Sequence, residues 1–420
     1  MNIPILARLN TNERWLMLAN MFAKLGIEAV YFIGFTGYAA YGFGGRASII
    51  ATVMIVLNFA HMVGSGVSGI VIDKIGPRRS IYITGTAVLA SGLFAQLAEG
   101  RLLIFVILAA WFGFFGSALM TSLAAFSPYL VEGKDNLARV NSLITVGGFA
   151  ACIVGPAIGG VIATYLPALR VFLLLSVSMC LCIVVMSKVH ERLQPDRDAE
   201  EKHGIIHDAL TGWRLIKLSH SLRFYLLVGI TMWFAFGAFD ALESLYYKDV
   251  LLVPIAWLGW VNTIIGVGLL LGAFWLSRLP GKHLNARMLI IILLAEGLGT
   301  VLYVGTNNVW WSASGAFALG VAFGIGDPLM RTLIQADSPL AASGRILGTI
   351  DTIRVGLLLI PLAIAPTLSH WFGVQPVLIG AGVLTILLTL ALIPMSRSVD
   401  RRKAATRHLD HVNPFAGDDS

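Results

Sequence analysis

The sequence predicts an all-α membrane protein with about twelve transmembrane helices in two pseudo-symmetric six-helix bundles and both termini in the cytoplasm. Three observations lead to this prediction: the apolar composition, a series of long apolar segments, and an uneven distribution of basic residues between those segments. Of 420 residues, 57% are hydrophobic and 13% are charged, and the mean hydropathy is +0.81. Soluble domains carry about 25% charged residues, so the composition excludes an ordinary soluble protein.

Twelve segments are long and apolar enough to cross a bilayer, which takes about 20 residues in a helix. We number them spans one to twelve. Their predicted ranges are 15–40, 47–71, 80–98, 102–127, 140–164, 168–187, 222–246, 255–277, 288–305, 309–330, 346–368 and 374–395. The first segment is long and lacks a cleavage site, so we expect a retained span and not a signal peptide.

The basic residues give the orientation. With the N-terminus inside, 24 of the 30 Lys and Arg residues fall in cytoplasmic segments, 4 fall outside, and Lys24 and Arg354 lie within spans. Such an excess marks the cytoplasmic side of a bacterial inner-membrane protein. The net charge of +7 therefore reflects loops at the membrane surface, and we expect no nucleic-acid partner.

The chain divides into two halves. We predict an N-terminal bundle at 1–187, a cytoplasmic linker with a short amphipathic helix at 188–221, a C-terminal bundle at 222–396 and a polar cytoplasmic tail at 397–420. The segment FGFFGSALM (112–120) in span four matches FGIGDPLMR (323–331) in span ten at an offset of 211 residues. Internal repeats of this kind are typical of transporters that bind substrate between two bundles.

The loop between spans two and three has the sequence GIVIDKIGPRR (69–79). It resembles the pattern G-x-x-x-D-[RK]-x-G-x-[RK]-[RK] of the major facilitator superfamily. The resemblance implies a conformational latch formed by Gly69, Asp73, Gly76, Arg78 and Arg79. The alternative is a basic loop that only fixes the orientation of the chain.

A second motif, GGFAACIVGPAIGG (147–160), lies in span five. It resembles the antiporter motif of drug exporters in this superfamily, and the resemblance alone implies export. The alternative is that its small residues only allow close helix packing. The motif residues are Gly148, Gly155, Pro156, Gly159 and Gly160.

Three further segments are similar to the macrolide-efflux and enterobactin-exporter branch of the superfamily. They are WFGFFGS (111–117), SPYLVEGKDNLARVNSL (127–143) and HDALTGWRLIKLSHSLRF (207–224). One departure is important, because many drug antiporters carry an arginine in span four that takes part in proton coupling. Gly113 occupies that region here, so that role cannot be transferred to this chain.

Ionisable residues inside spans cost free energy to place in the membrane, so their presence marks functional sites. In the superfamily, spans one, four, seven and ten line the central cavity, and three of these carry acids here. Glu28 is the predicted proton-binding carboxylate, since burial favours its neutral form and nearby Lys24 favours its charged form. Asp240 and Asp327 are further candidates for proton coupling.

Other interpretations of these residues remain open at this stage. Lys24 and Glu28 can form a fixed ion pair without a transport role. Glu243, with Asp240, Trp233 and Phe236, is expected to recognise an amphiphilic substrate, although both acids can instead lie at the outer water interface. Asp351 and Arg354 are predicted to form a structural pair. Glu296 has no explanation at this stage, because span nine is peripheral in this family.

These observations predict a monomeric transporter of the bacterial inner membrane, and not an enzyme. Its expected activity is proton-coupled export of a drug or small amphiphilic metabolite by alternating access. The alternatives are a proton-coupled importer or lysolipid flippase of the same fold and, less favoured, a non-transporting sensor or partner protein. No cofactor or metal is expected, because the proton gradient would supply the energy and no phosphate-binding loop of the G-x-x-x-x-G-K-[ST] type occurs in the sequence.

Overall fold

The computed structural model describes residues 10–130, 134–190, 205–338 and 343–412. Every regular element in these ranges is helical, and 12 helices are long and apolar enough to cross a membrane. This confirms the predicted fold class.

The first six spans form the N-terminal bundle. Their helices are Thr11–Gly42, Ala47–Ile75, Pro77–Phe94, Leu102–Ala124, Lys134–Tyr165 and Val171–Ser187. The last six form the C-terminal bundle. Their helices are His220–Leu245, Ala256–Ser277, Ala286–Val304, Val309–Ala336, Ser343–Phe372 and Val374–Val412. The final helix therefore continues through residues 397–412, which the sequence analysis assigned to a tail, while 413–420 lie outside the described residues.

The linker contains one helix, Ile205–Leu218, in the position predicted for an amphipathic helix. It packs against the inner end of span eleven at Gly212, where an added Cβ would lie 2.2 Å from Thr349 Oγ1 and 2.8 Å from the Arg345 carbonyl oxygen. The linker helix is thus attached to the C-terminal bundle. Residues 191–204 of the predicted linker lie outside the described part of the chain.

The two halves repeat the same helix packing. Gly113 of span four lies against span two, where an added Cβ would be 2.3 Å from the Leu57 carbonyl oxygen. Gly324, which is 211 residues later in span ten, lies against span eight, where an added Cβ would be 2.2 Å from the Leu269 carbonyl oxygen. The sequence repeat is therefore also a repeat of backbone contacts, and no side chain fits at Gly113.

Spans one and seven share a second feature. Each is an α-helix that changes to a π-helix towards its outer end, over Val30–Gly37 in span one and Tyr246–Val250 in span seven. π-Helical turns are rare and are frequent at functional sites. In span one this segment begins two residues after Glu28.

The bundles meet at spans five and eight, two and eleven, and two and seven, and the π-helical part of span one also contacts spans seven and eight. Two hydrogen bonds join them at the outer ends of the spans. Tyr41 Oη donates to the Val253 carbonyl oxygen at 2.8 Å, and Lys248 Nζ donates to the Ala40 carbonyl oxygen at 3.0 Å. The space between the bundles is therefore closed on its outer side.

Candidate functional site

A cavity of about 380 Å³ lies between the two bundles. Spans one and five line it from the N-terminal side, and spans seven to ten line it from the C-terminal side. Binding sites for small molecules commonly have about 300–1,000 Å³ and an apolar wall with a few polar groups. The cavity fits this description, because its wall is mostly apolar and it also contains six ionisable side chains, which are Lys24, Glu28, Asp240, Glu243, Glu296 and Asp327.

Lys24 and Glu28 are half-buried on the wall formed by span one. Cys152 of span five also lines the cavity, and its Sγ donates a hydrogen bond of 3.4 Å to Glu28 Oε1. No nitrogen–oxygen contact within 4.0 Å joins Lys24 to Glu28 among the described ion pairs. In this conformation the two charges therefore face the cavity without forming a direct salt bridge.

The span-five motif explains how Lys24 and Glu28 fit against the neighbouring helix. An added Cβ on Gly148 would lie 3.4 Å from Lys24 Cδ, and one on Gly155 would lie 2.5 Å from the Leu25 carbonyl oxygen. Gly159 continues this face against Ala29 and Ile33. Residues without large side chains let two helix backbones approach closely, so spans one and five are in direct backbone contact.

The opposite face of the same motif contacts the other bundle. An added Cβ on Gly259 of span eight would lie 2.4 Å from the Pro156 carbonyl oxygen and 2.7 Å from Gly160 Cα. Further along the same pair of helices, Thr263 Oγ1 donates a hydrogen bond of 3.1 Å to the Ile153 carbonyl oxygen. The motif therefore packs against span one on one side and across the bundle boundary on the other.

Asp240, a candidate for proton coupling, is buried at a contact between the bundles. Its Oδ2 accepts a hydrogen bond of 2.8 Å from Tyr31 Oη in span one and one of 3.4 Å from Asn58 Nδ2 in span two. Two helices of the N-terminal bundle thus bind one carboxyl of the C-terminal bundle. This position lies inside the protein and not at the outer water interface.

Glu243 lies one turn further along span seven, and its contacts stay within the C-terminal bundle. Its carboxyl accepts a short hydrogen bond from Tyr303 Oη of span nine, and Tyr303 Oη is 3.0 Å from Tyr247 Oη. Tyr303 is buried and also lines the cavity. The carboxyl of Glu243 is therefore held in place by a phenol of span nine.

Asp327 belongs to a ring of four alternating charges between spans ten and eleven. It contacts Arg331 Nε and Arg354 Nη1, both at 2.9 Å. Asp351 contacts the same two guanidinium groups at 3.2 Å and 3.0 Å. Arg331 was counted above with the cytoplasmic segments, but it lies inside span ten, four residues after Asp327. The predicted Asp351–Arg354 pair is therefore part of a larger network.

Trp233, Phe236 and Phe323 form an aromatic cluster on the cavity wall. The centroids of the Phe236 and Phe323 rings are 6.2 Å apart, and the Trp233 ring lies 5.3 Å from Phe236 and 5.7 Å from Phe323. The guanidinium carbon of Arg354 lies 4.5 Å from the centroid of the Trp233 ring. One face of Trp233 is therefore occupied by the charge network, whereas the two phenylalanines face the cavity.

The loop motif is located at the inner surface. Gly76 ends span two with φ 82° and ψ 156°, a conformation that side chains rarely adopt, and Pro77 begins span three. Arg78 Nη1 donates a hydrogen bond of 2.8 Å to the Val189 carbonyl oxygen after span six, and Arg79 is exposed. An added Cβ on Gly69 would meet nothing within 4 Å. The side chain of Asp73 lies outside the described residues.

Sequence reasoning missed several residues of the site. Tyr31 and Asn58 bind Asp240, and Thr300 and Tyr303 line the cavity from span nine together with Glu296. The positions 296, 300 and 303 follow the i, i+4, i+7 spacing of one helix face. This spacing, with an acid in an otherwise apolar helix, was the signal that span nine faces the cavity.

Comparisons with known proteins agree with this architecture. The sequence profile of the Major Facilitator Superfamily matches residues 16–360. The chain is 25% identical to the enterobactin exporter EntS of Escherichia coli over 296 residues, which cover 69% of each protein. It is 24% identical over 262 residues to YfiS of Bacillus subtilis, an uncharacterized MFS-type transporter, and this match spans 61% of the chain and 63% of YfiS, less than two thirds of that relative.

A solved structure of the nucleoside transporter NupG has the same fold. It superposes with a TM-score of 0.71 over 92% of this chain and 100% of NupG, at 12% sequence identity. At this identity the similarity concerns the fold alone. With the profile match over most of its length, the chain belongs to the Major Facilitator Superfamily.

Proposed function

We propose that the protein exports a drug or small amphiphilic metabolite across the bacterial inner membrane by proton-coupled antiport with alternating access. One observation carries the proposal: Lys24 and Glu28 both line the cavity between the bundles without a direct salt bridge. If Lys24 and Glu28 were a fixed structural pair, they would be expected to form a direct salt bridge. Charges that face a binding cavity are instead available to a proton and a substrate.

The chemistry of Glu28 fits a proton carrier. Among the described residues, its carboxylate receives only the weak thiol donor of Cys152 at 3.4 Å, so it can accept a proton from the cavity. The ammonium of Lys24, one helical turn away, stabilises the carboxylate once that proton has left. In the proposed cycle the proton enters from outside, remains on Glu28 while the bundles move, and leaves into the cytoplasm. The proton gradient is the energy source, and the monomer is the working unit.

Two observations support export over uptake. The enterobactin exporter EntS is a relative of this chain. The span-five motif resembles that of drug exporters, and its Gly155, Pro156 and Gly160 lie against span one and across the bundle boundary. The closure of the cavity on the outer side does not decide the direction, because exporters and importers both pass through such a conformation.

The proposal is tested with inside-out membrane vesicles in which respiration establishes a proton gradient that a fluorescent dye reports. Macrolides, cationic dyes and a catecholate siderophore are added to vesicles with wild type, Glu28→Gln or Lys24→Met. Glu99→Gln is the matched control, because Glu99 is exposed in the outer loop between spans three and four. We expect at least one compound to dissipate the gradient with wild type and Glu99→Gln, and not with Glu28→Gln.

A response of Glu28→Gln equal to that of wild type would assign proton coupling to another group. The direction is tested again in right-side-out vesicles that contain the substrate and have an inward proton gradient. An exporter should dissipate that proton gradient. If the compound enters such vesicles together with protons, the protein is an importer and the proposed direction is wrong.

A further inference from the structure

Glu296 is an acid in the middle of span nine that no part of the proposed proton cycle uses. It lines the cavity, its relative exposure is only 2%, and its Oε2 atom is buried without a hydrogen-bond partner among the residues that the structure describes. A buried charge without a partner is expensive. A carboxyl in this position therefore needs a proton or a cation from the cavity as its partner.

The other carboxyls of the cavity wall have partners within the described part of the chain. These pairs are Glu28 with Cys152, Asp240 with Tyr31, Glu243 with Tyr303, and Asp327 with Arg331 and Arg354. Glu296 differs from all of them, because neither a hydrogen bond nor an ion pair satisfies its side chain. Glu296 is thus a carboxyl of the wall that a ligand from the cavity can satisfy without displacing a protein partner.

Aromatic rings line the same cavity, and two of them, Phe236 and Phe323, are half-buried. Phe236 of span seven and Phe323 of span ten are at an interplanar angle of 66°, and Phe239 stacks on Tyr303 at 5.6 Å. Aromatic faces attract cations and also accommodate apolar groups. An acid and aromatic rings in the wall of one cavity are a combination suited to a lipophilic cation, whose charge needs a counter-ion and whose body needs an apolar surface.

We propose that Glu296, with Phe236 and Phe323, forms a subsite for a monovalent organic cation, such as a quaternary or protonated amine that carries an aromatic or alkyl body. This inference names the substrate class of the cavity and rests on the proposed function in taking that cavity as the transport site. Anionic compounds are excluded from the subsite, because their charge would face an unpaired carboxyl. With a neutral compound, Glu296 would have to keep its proton and would make no ionic contact with the ligand.

The charged groups that face Glu296 agree with this class. Asp327 on span ten is neutralised by two arginines, Asp240 and Glu243 on span seven accept phenolic hydrogen bonds, and residues 374–395 of span twelve carry no charged group. Lys24 and Glu28 lie on the wall that span one forms. A bound cation therefore exchanges with a proton on Glu296, and binding weakens as the pH falls.

The test measures equilibrium binding of tritiated tetraphenylphosphonium to the purified full-length protein in detergent, without any gradient. We expect saturable binding by wild type and by Glu99→Gln, an intermediate affinity for Glu296→Asp, and at least a tenfold loss for Glu296→Gln. Binding by wild type should release about one proton into a weakly buffered solution. Glu296→Gln should release none.

A measurement on the unmodified protein does not depend on whether a variant folds. Dicyclohexylcarbodiimide reacts with carboxyl groups in apolar surroundings, and peptide mass spectrometry locates the adduct. We expect labelling of Glu296 that tetraphenylphosphonium suppresses in a concentration-dependent way. Labelling that the cation leaves unchanged would overturn the proposal.

Two further results would overturn it: binding by Glu296→Gln with the affinity of wild type, or no binding of the cation by wild type. Either can occur while the vesicle assay still shows proton-coupled export of an uncharged or anionic compound. Conversely, cation binding at Glu296 without any proton coupling in vesicles would contradict the proposed antiport and leave the subsite in place. The two proposals therefore fail separately.

Discussion

Tyr31 Oη donates a hydrogen bond of 2.8 Å to Asp240 Oδ2, and this bond joins span one of the first bundle to span seven of the second. The bond lies beside the cavity, towards the outer side, where the space between the bundles is closed. Any movement that opens the cavity to the outside must separate these two helices. In the proposed alternating-access cycle the bond would therefore be broken and remade once per turnover.

Replacing Tyr31 by phenylalanine should favour the outward-open conformation. Hydrogen bonds to charged groups contribute about 1.5–3 kcal/mol, so the outward-open population should rise roughly tenfold or more. Cys152, which lines the cavity, reports this population in a background where Cys180 and Cys182 are replaced by serine. We expect a membrane-impermeant thiol reagent outside the cell to label Cys152 faster in Tyr31→Phe.

Tyr165→Phe is the matched control for this measurement, because Tyr165 is 81% exposed at the outer end of span five. Its labelling rate should equal that of wild type. Equal rates for Tyr31→Phe and Tyr165→Phe would show that the bond to Asp240 does not hold the outer side closed.

Gly155→Ala should destabilise the N-terminal bundle. The added Cβ would lie 2.5 Å from the Leu25 carbonyl oxygen, so spans one and five would have to separate. Overpacking of this kind costs about 1–3 kcal/mol, and a clear decrease in the thermal unfolding temperature in detergent is expected. Gly116→Ala is the control, because an added Cβ there meets nothing within 4 Å. A melting temperature of Gly155→Ala equal to that of Gly116→Ala would contradict the packing of the motif.

Arg354→Met should destabilise the C-terminal bundle by removing one cation from the ring of four charges. The Arg354 side chain is 8% exposed, and its loss leaves Asp327 and Asp351 with Arg331 alone. We expect a loss of about 2 kcal/mol in the free energy of unfolding, less than for a fully buried pair because both aspartates are partly exposed. Urea titration of the purified protein measures this change.

Two comparisons make the Arg354 result specific. Arg278→Met removes an exposed arginine that stacks on Phe274, and it should have a much smaller effect. The double variant Arg354→Met, Asp327→Asn should be more stable than Arg354→Met alone, because it leaves one acid for one arginine and removes the excess negative charge. If the double variant is the less stable of the two, the charges do not act as a network.

Gly76→Ala should impair folding of the loop between spans two and three. Its φ of 82° with ψ of 156° is a region that glycine occupies and alanine enters at a cost of about 1–3 kcal/mol. We expect a lower thermal unfolding temperature and a lower yield of folded protein. Gly69→Ala lies in the preceding helix with open space around it, so its stability should be equal or higher. Equal stability of the two variants would contradict the role assigned to the backbone at Gly76.

The fold was predictable because each of its determinants is local in the sequence. Apolar length identifies a span, basic residues assign its inner end, and the offset between FGFFGSALM and FGIGDPLMR relates the halves. Arg331 shows where this logic fails. A basic residue near the end of an apolar segment was assigned to the cytoplasmic side, although its spacing of four from Asp327 already allowed an ion pair within the helix.

The candidate site was predictable only in part, because it depends on how separate helices face one another. Lys24 and Glu28 were identified because a charged side chain inside a membrane span costs free energy, and the structure places both on the cavity wall. The partners of Asp240 were not identified, because the sequence around Tyr31 and Asn58 contains no signal that relates either residue to Asp240. Only the docking of spans one and two on span seven gives them a common target.

Glycine faces glycine at the boundary between the bundles, where Gly160 of span five meets Gly259 of span eight. Where the two helices touch through main-chain atoms, no interdigitated side chains have to separate when one bundle rotates against the other. In the proposed cycle, rotation of the bundles at this contact would therefore meet little steric resistance. The polar contacts between the bundles, such as Tyr31 with Asp240 and Lys248 with the Ala40 carbonyl oxygen, would then hold the outward-closed conformation.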